Sequence, residues 1–139
     1  MPAIQRSFSF QLPAEYGHRD VTDEVVQTVA ESGVRTGVAS VQLVGSTGAV
    51  TTIEYEGGAL ADLQRALDLL APTNAHYEHN ARWGDGNGFS HIRSALLKTG
   101  IAVPIVDGKL ALGTWQQVVA INLDNRPRRR EMVVVVVGE

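Results

Sequence analysis

Cysteine is absent from the 139-residue chain. This absence excludes disulfides, thiolate zinc sites and cysteine nucleophiles. Long apolar runs are absent too, since the longest, residues 132–137, is far shorter than the roughly 20 residues of a membrane span. The first twelve residues lack the apolar segment of a signal peptide. These absences predict a cytoplasmic protein with no membrane partner.

An excess of positive charge is also lacking, because the formal net charge is −3. A general nucleic-acid binder is usually basic, so this balance argues against one. The exception is the run 126–130, where four of five residues are arginine. No aromatic residues interleave with these arginines to stack on bases. We therefore expect no nucleic-acid partner, and a single arginine reaching a phosphorylated ligand instead.

The chain is 44% hydrophobic, and its length is typical of one domain covering residues 1–139. Residues that alternate or are rich in β-branched side chains predict strands at 3–12, 36–44, 49–55, 101–106, 109–112, 115–123 and 131–137. Helical spacing predicts helices at 21–32 and between Gly57 and Pro72, with a short third at 89–98.

This order predicts an α+β fold, a mainly antiparallel β-sheet sandwich with two to three helices. The turn-like residues 45–48 favour a hairpin between the strands at 36–44 and 49–55. The unbroken valines of the last strand predict burial on both of its faces.

Chemistry-bearing residues concentrate in and just after an irregular segment, residues 73–88. A segment of this length with little periodicity is usually functional or disordered. His79 and His91 are the first candidates, because neutral imidazole is a common metal ligand and a general base near pH 7. The alternative is that both are ordinary surface or hydrogen-bonded histidines. His76 is expected to be a solvated loop residue.

Two further candidates come from glycine and carboxylate placement. Residues 84–88 contain three glycines, so their amides could cradle an anion, or the segment could be a plain turn. Glu54 interrupts an apolar strand and could act as a general base, a metal ligand or an edge-strand charge. Asp62 is expected to be a solvated helix residue.

Four stretches of the chain together resemble the YjbQ family, whose members are also called secondary thiamine-phosphate synthases. They are Tyr-Glu-His-Asn at 77–80, Gly-Asn-Gly-Phe-Ser-His-Ile at 86–92, a Val-Pro-Ile-Val-Asp-Gly segment that runs to Leu-Gly-Thr-Trp-Gln at 103–116, and three arginines at 128–130. The order and spacing of these motifs are specific as a set.

The resemblance implies an α+β homotrimer with a polar pocket near a subunit boundary. It implies weak thiamine-phosphate synthase activity, a transferase reaction that joins a thiazole phosphate to a pyrimidine diphosphate with loss of pyrophosphate. The native substrate is not fixed by family membership. The residues that this resemblance implies as catalytic are Glu54, His79 and His91, and those for a phosphorylated substrate are Asn87, Gly88, Trp115, Gln116 and Arg130.

The resemblance also implies a divalent metal, zinc or magnesium, bound by His79 and His91. Gly45 stands where family members usually carry a histidine. A catalytic zinc site normally has three protein ligands, so this change leaves two histidines. Three functions stay open: a transferase, a non-catalytic trimer that binds phosphate or a small molecule, and a purely structural assembly.

Overall fold

The computed structural model describes residues 2–139. The strands are β1 (Ala3–Leu12), β2 (Gly17–Asp20), β3 (Gly37–Val44), β4 (Gly48–Ile53), β5 (Gly100–Val106), β6 (Lys109–Leu110), β7 (Gln117–Asn122) and β8 (Arg128–Gly138). The helices are α1 (Thr22–Ser32), α2 (Gly57–Leu70), α3 (Glu78–Trp83) and α4 (Gly88–Leu97).

The strands form two antiparallel sheets. The larger has the order β1-β8-β3-β5-β6 and the smaller the order β2-β7-β4. Side chains from the larger sheet, α1 and one face of the smaller sheet form the main core, while the other face of the smaller sheet packs against α2. The predicted α+β class with mainly antiparallel sheets is confirmed.

Helix ends follow from local chemistry. Val25 and Val29 give α1 a buried apolar stripe, and Gly33 ends the helix in the left-handed region at φ 69°. At the start of α2, the carboxylate of Glu56 accepts hydrogen bonds from the amides of Gly58 and Ala59 at 2.7 and 2.8 Å.

The expected hairpin between β3 and β4 is wrong, because the two strands belong to different sheets. β3 already pairs with β8 on one edge and β5 on the other. No edge of β3 is free for β4, so the chain crosses to the smaller sheet at Gly45, where φ is 134°.

Two elements were not expected from the sequence. The segment 73–88 contains the six-residue helix α3, which ends at Gly84 in the left-handed region, so the helices number four rather than two to three in residues 2–139. The four residues of β2 carry no clear alternation and become a strand by pairing with β7.

The sequence predicted that the valines of β8 would be buried on both faces of the strand. This prediction is wrong. Met132, Val134 and Val136 are buried, whereas Val133 and Val135 are half-buried and Val137 is exposed. Residues 2–139 therefore cover the outer face of the larger sheet only in part at these positions. None of the helices in residues 2–139 has the length and hydropathy needed to cross a membrane.

Candidate functional site

A cavity of about 490 Å³ lies where α3 and α4 meet the ends of the two sheets. Six of its ten lining residues come from the short crossing after β3 and from the two helices that carry the histidines. The lining residues are Gly45, Ser46, Thr47, His79, Trp83, Asp85, Asn87, His91, Arg128 and Arg130.

His79 and His91 lie side by side in this cavity. α3 carries His79 and α4 carries His91, and the ring centroids are 4.3 Å apart with a 40° tilt. Burial and, next, the charge of His79 lower the pKa of His91 from 6.5. His91 is therefore largely neutral at pH 7 and can accept a proton. Nδ1 of His79 lies 3.3 Å from Oδ1 of Asp85 without the geometry of a hydrogen bond.

The buried guanidinium of Arg93 holds α4 in place. Arg93 is fully buried, donates to the carbonyl of Ala71 and to Asp68 at 2.9 Å each, and lies over the ring of Phe89. These contacts tie α4 to the end of α2 and so fix the position of His91 on the opposite side of the helix.

Below the histidines, Arg130 is the most deeply buried cation of the cavity. It is 5% exposed, and its Nη2 donates to Thr47 at 2.8 Å and to Asn122 at 2.6 Å. Its Nε is buried and has no hydrogen-bond partner. Burial lowers the pKa of Arg130 from its ordinary value, against the opposing effect of Asp124. A buried donor without a partner favours an incoming acceptor.

Asp124 is the buried anion of the same network, and neither its type nor its position was singled out from the sequence. Burial alone would raise its pKa, but hydrogen bonds outweigh burial and lower it. The donors are Thr47 at 2.9 Å, the Asn125 amide at 2.8 Å, Asn87 at 3.3 Å and Arg128 at 2.9 Å. With this many donors, Asp124 has little capacity left to bind a cation.

Asn87 and Gly88 lie at the start of α4, but the Gly88 amide is already in use. It donates to the side chain of Asn80 at 2.8 Å. A Cβ at Gly88 would lie 2.6 Å from the Cβ of Tyr77, so glycine permits the close packing of α4 against the preceding segment. In this structure the Gly88 amide therefore stabilises the turn before α4, while Asp85 and Asn87 of the same segment line the cavity.

Three of the predicted site residues are not brought to the cavity within one chain. Glu54 is exposed just beyond β4, Trp115 is 70% exposed and Gln116 is also exposed. These three residues lie at the end of the smaller sheet where β7 begins with Gln117. The cavity lies at the opposite end, where β7 finishes at Asn122. A six-residue strand separates the two ends by about 17 Å.

Other singled-out residues also lie outside the cavity. His76 is exposed beside Glu78, and Asp62 is exposed beside Arg65. Gln116 lines a separate, more apolar cavity of about 430 Å³, in which Val26, Val29 and Leu110 form part of the wall. The side chain of Gln116 accepts a hydrogen bond from the amide of Gly113 and donates one to the hydroxyl of Thr52.

A resident metal does not fit the cavity's side chains. Within residues 2–139, no group of three or more histidine and carboxylate side chains is placed to hold one. A Cβ added at Gly45 would lie 2.9 Å from Nη1 of Arg130. The guanidinium thus occupies the space next to position 45, where it would repel a bound cation.

The family model described as UPF0047 protein YjbQ-like matches residues 6–139. A UPF0047 protein of Methanothermobacter thermautotrophicus is 35% identical over 136 residues, covering 95% of this chain and 93% of that one. A second, from Methanocaldococcus jannaschii, is 30% identical over 142 residues and covers 100% of this chain and 99% of that one.

Solved structures agree with these relatives. A YbjQ-like protein of unknown function from Sulfolobus solfataricus superposes with a TM-score of 0.87 at 26% identity, covering 99% of both chains. An uncharacterised YjbQ/UPF0047 family protein from Clostridium acetobutylicum gives 0.86 at 29% identity, covering 95% of this chain and 99% of that one. The chain belongs to the YjbQ/UPF0047 family.

Proposed function

We propose that this protein binds a small phosphorylated molecule in the cavity between α3, α4 and the sheet ends. The observation that carries the proposal is the buried Arg130 guanidinium, which lines the cavity and has an unpartnered Nε. A phosphate oxygen is a strong acceptor for such a donor, and arginine suits phosphate geometry.

The charges around Arg130 support an anionic ligand. Asp124 forms its salt bridge with Arg128. Among residues 2–139, no carboxylate lies within ion-pairing distance of Arg130. Its present partners, Thr47 and Asn122, are neutral. His79 and His91 face the same space and would add positive charge when protonated.

Titration calorimetry with pyrophosphate and inorganic phosphate tests this proposal. Arg130→Met should weaken binding by about tenfold or more, because a charge-assisted hydrogen bond is lost. Arg129→Met is the matched control, since Arg129 is exposed on the opposite face of β8. Equal binding by both variants would show that the cavity is not the site. His79→Gln, with exposed His76→Gln as its control, repeats the test without removing a buried residue.

A second candidate function is thiamine-phosphate synthase-like transfer, favoured by two adjacent imidazoles beside the arginine. The thiazole nitrogen would attack the methylene carbon of the pyrimidine diphosphate. A C–N bond forms while the C–O bond to the diphosphate breaks, and pyrophosphate leaves with the bonding electron pair. Arg130 would hold the departing diphosphate, and the histidines would donate hydrogen bonds to it.

Product analysis separates transfer from binding alone. The wild-type protein is incubated with the thiazole phosphate, the pyrimidine diphosphate and Mg²⁺, and thiamine phosphate and pyrophosphate are quantified by chromatography. Equal amounts of both products, reduced in His91→Gln but not in His76→Gln, would support a transferase. Ligand binding without product would leave the binding function alone.

We also propose that the chain assembles as a homotrimer in the cytoplasm. Four valines, Val38, Val44, Val106 and Val137, expose apolar surface on the larger sheet, and such patches typically mark interfaces.

The lack of cysteine fits a reducing compartment. Light scattering after size exclusion should give a trimer mass that Val135→Lys lowers. Leu69→Lys, on the exposed surface of α2, should leave the mass unchanged, and a monomeric wild type would overturn the assembly.

A further inference from the structure

Gly45 and Ser46 form the boundary between two cavities. They line the histidine–arginine cavity, and they also line a neighbouring cavity of about 370 Å³ with Ser94, Ala95, Lys98 and Thr99. Because Gly45 has no side chain, this residue places only backbone atoms between the two spaces. Its φ of 134° is a backbone conformation that other residues rarely adopt.

The neighbouring cavity of about 370 Å³ is called the second cavity, and Lys98 is the only charged residue that lines it. In residues 2–139, no carboxylate lies within ion-pairing distance of its ammonium group. The second cavity is therefore positive, and an anion entering it would meet no carboxylate on its walls.

The backbone of Lys98 is strained. It follows α4 with φ 76° and ψ 153°, a region populated almost only by glycine. Hydrogen bonds hold it there: its amide donates to Ser94, and its carbonyl accepts from Val50. Strained residues tend to cluster at functional sites, and here a lysine occupies a position where glycine would be free of strain.

We propose that the ligand is elongated and carries two anionic groups, a phosphate at Arg130 and a second phosphate or carboxylate at Lys98, with its middle crossing Gly45. This proposal rests on the proposed binding function and names the class of ligand. Lys98 would be a specificity-determining residue, since it adds affinity only for ligands that reach the second cavity.

Calorimetry with matched probes tests the proposal. The single-anion probes are butyl phosphate and hexyl phosphate. The two-anion probes are butane-1,4-diol bisphosphate, hexane-1,6-diol bisphosphate and 4-phosphonooxybutanoate, which tells a carboxylate from a second phosphate. A bisphosphate should bind about tenfold more tightly than the monophosphate of the same length. An exposed ion pair with Lys98 contributes about fivefold of this gain, and the two equivalent ends of the ligand contribute about twofold.

Lys98→Met and Lys98→Gly should both remove this gain and leave monophosphate affinity unchanged. The glycine variant has no backbone strain, so it remains informative if the methionine variant folds poorly. Lys109→Met is the matched control, because Lys109 lines neither cavity, and it should keep the full gain.

The outcomes separate the two proposals. Monophosphate binding with no gain for any two-anion probe, or with a gain that survives both Lys98 variants, overturns the elongated ligand and leaves phosphate binding intact. No binding of any probe overturns both.

Discussion

The imidazoles of His79 and His91 share one cavity with their ring centroids 4.3 Å apart, although they lie on two different helices. The two histidines are twelve positions apart in the sequence. His79 therefore lowers the proton affinity of His91, and the charge on the imidazoles should control how strongly the cavity binds anions.

The first prediction concerns the pH dependence of anion binding. Burial and His79 lower the pKa of His91 below 6.5, so His91 gains its charge only as the pH falls through that lowered value. Sulfate keeps its charge over this range, and its affinity should rise as the pH falls. NMR titration of the imidazoles, with sulfate calorimetry at each pH, measures both quantities.

Replacing the neighbour provides the control. His79→Gln should raise the pKa of His91 toward 6.5, because the repulsion from a second imidazolium is lost. An unchanged His91 titration in this variant would mean that the two rings are not electrostatically coupled in solution.

The second prediction concerns acid stability. The folded-state pKa of Asp124 is held below its usual value. Its contribution to the stability of the fold is therefore present above the unfolded-state pKa, and it is lost as the pH falls through the folded-state pKa. Asp124→Asn should lower the free energy of unfolding at pH 7 by about 2–4 kcal/mol, because buried donors lose an anionic acceptor. Urea unfolding at several pH values measures the loss.

The variant's stability should also depend less on pH below 4. Asp62→Asn is the control, since Asp62 is exposed and paired with exposed Arg65, and its effect should stay within about 0.5 kcal/mol. An Asp124 variant as stable as this control would refute the role of Asp124 in the buried network.

The third prediction concerns metal content. Protein purified without a histidine tag should hold less than a stoichiometric amount of transition metal, because His79 and His91 lack a third ligand and Arg130 adds a repelling charge. Mass spectrometry of metals in the native protein, and again after zinc incubation and desalting, measures this. A stoichiometric metal lost in both His79→Ala and His91→Ala would contradict the prediction.

The fourth prediction concerns the strained backbone after α4. Lys98→Gly should raise the free energy of unfolding by about 1 kcal/mol, because relief of the strain exceeds the entropic cost of glycine. Lys98→Ala keeps the strained conformation and should bring no gain. Denaturant unfolding of the three proteins measures the difference, and equal stability of the glycine and alanine variants would show that position 98 is not strained.

The sequence predicted the local elements well where one pattern dominates. The alternation at β1 and the spacing of Val25 and Val29 in α1 report burial on one face, and that pattern survives folding. The strands predicted at 101–106 and 109–112 pair as β5 and β6, joined by a turn at Asp107 and Gly108. The family motifs likewise marked His79, His91 and Arg130, which the fold brings to one cavity.

Other features depended on neighbours that no local pattern describes. The strand β2 exists because β7 supplies its hydrogen-bond partners, and β4 leaves β3 because both edges of β3 are taken. Asp124 carried no signal, since a single aspartate near a turn gives no hint that four hydrogen-bond donors will meet at its carboxylate.

By itself, the sequence determined the α+β class, the family and the residue types available for chemistry, because these follow from periodicity, composition and motif spacing. The tertiary structure alone decided which of those residues meet. β7 separates Glu54 and Gln116 from the histidines by the length of a strand, while the crossing at Gly45 brings Thr47 to Arg130 and Asp124. Proximity across long sequence separations depends on strand pairing and packing, and no short segment of the chain contains that information.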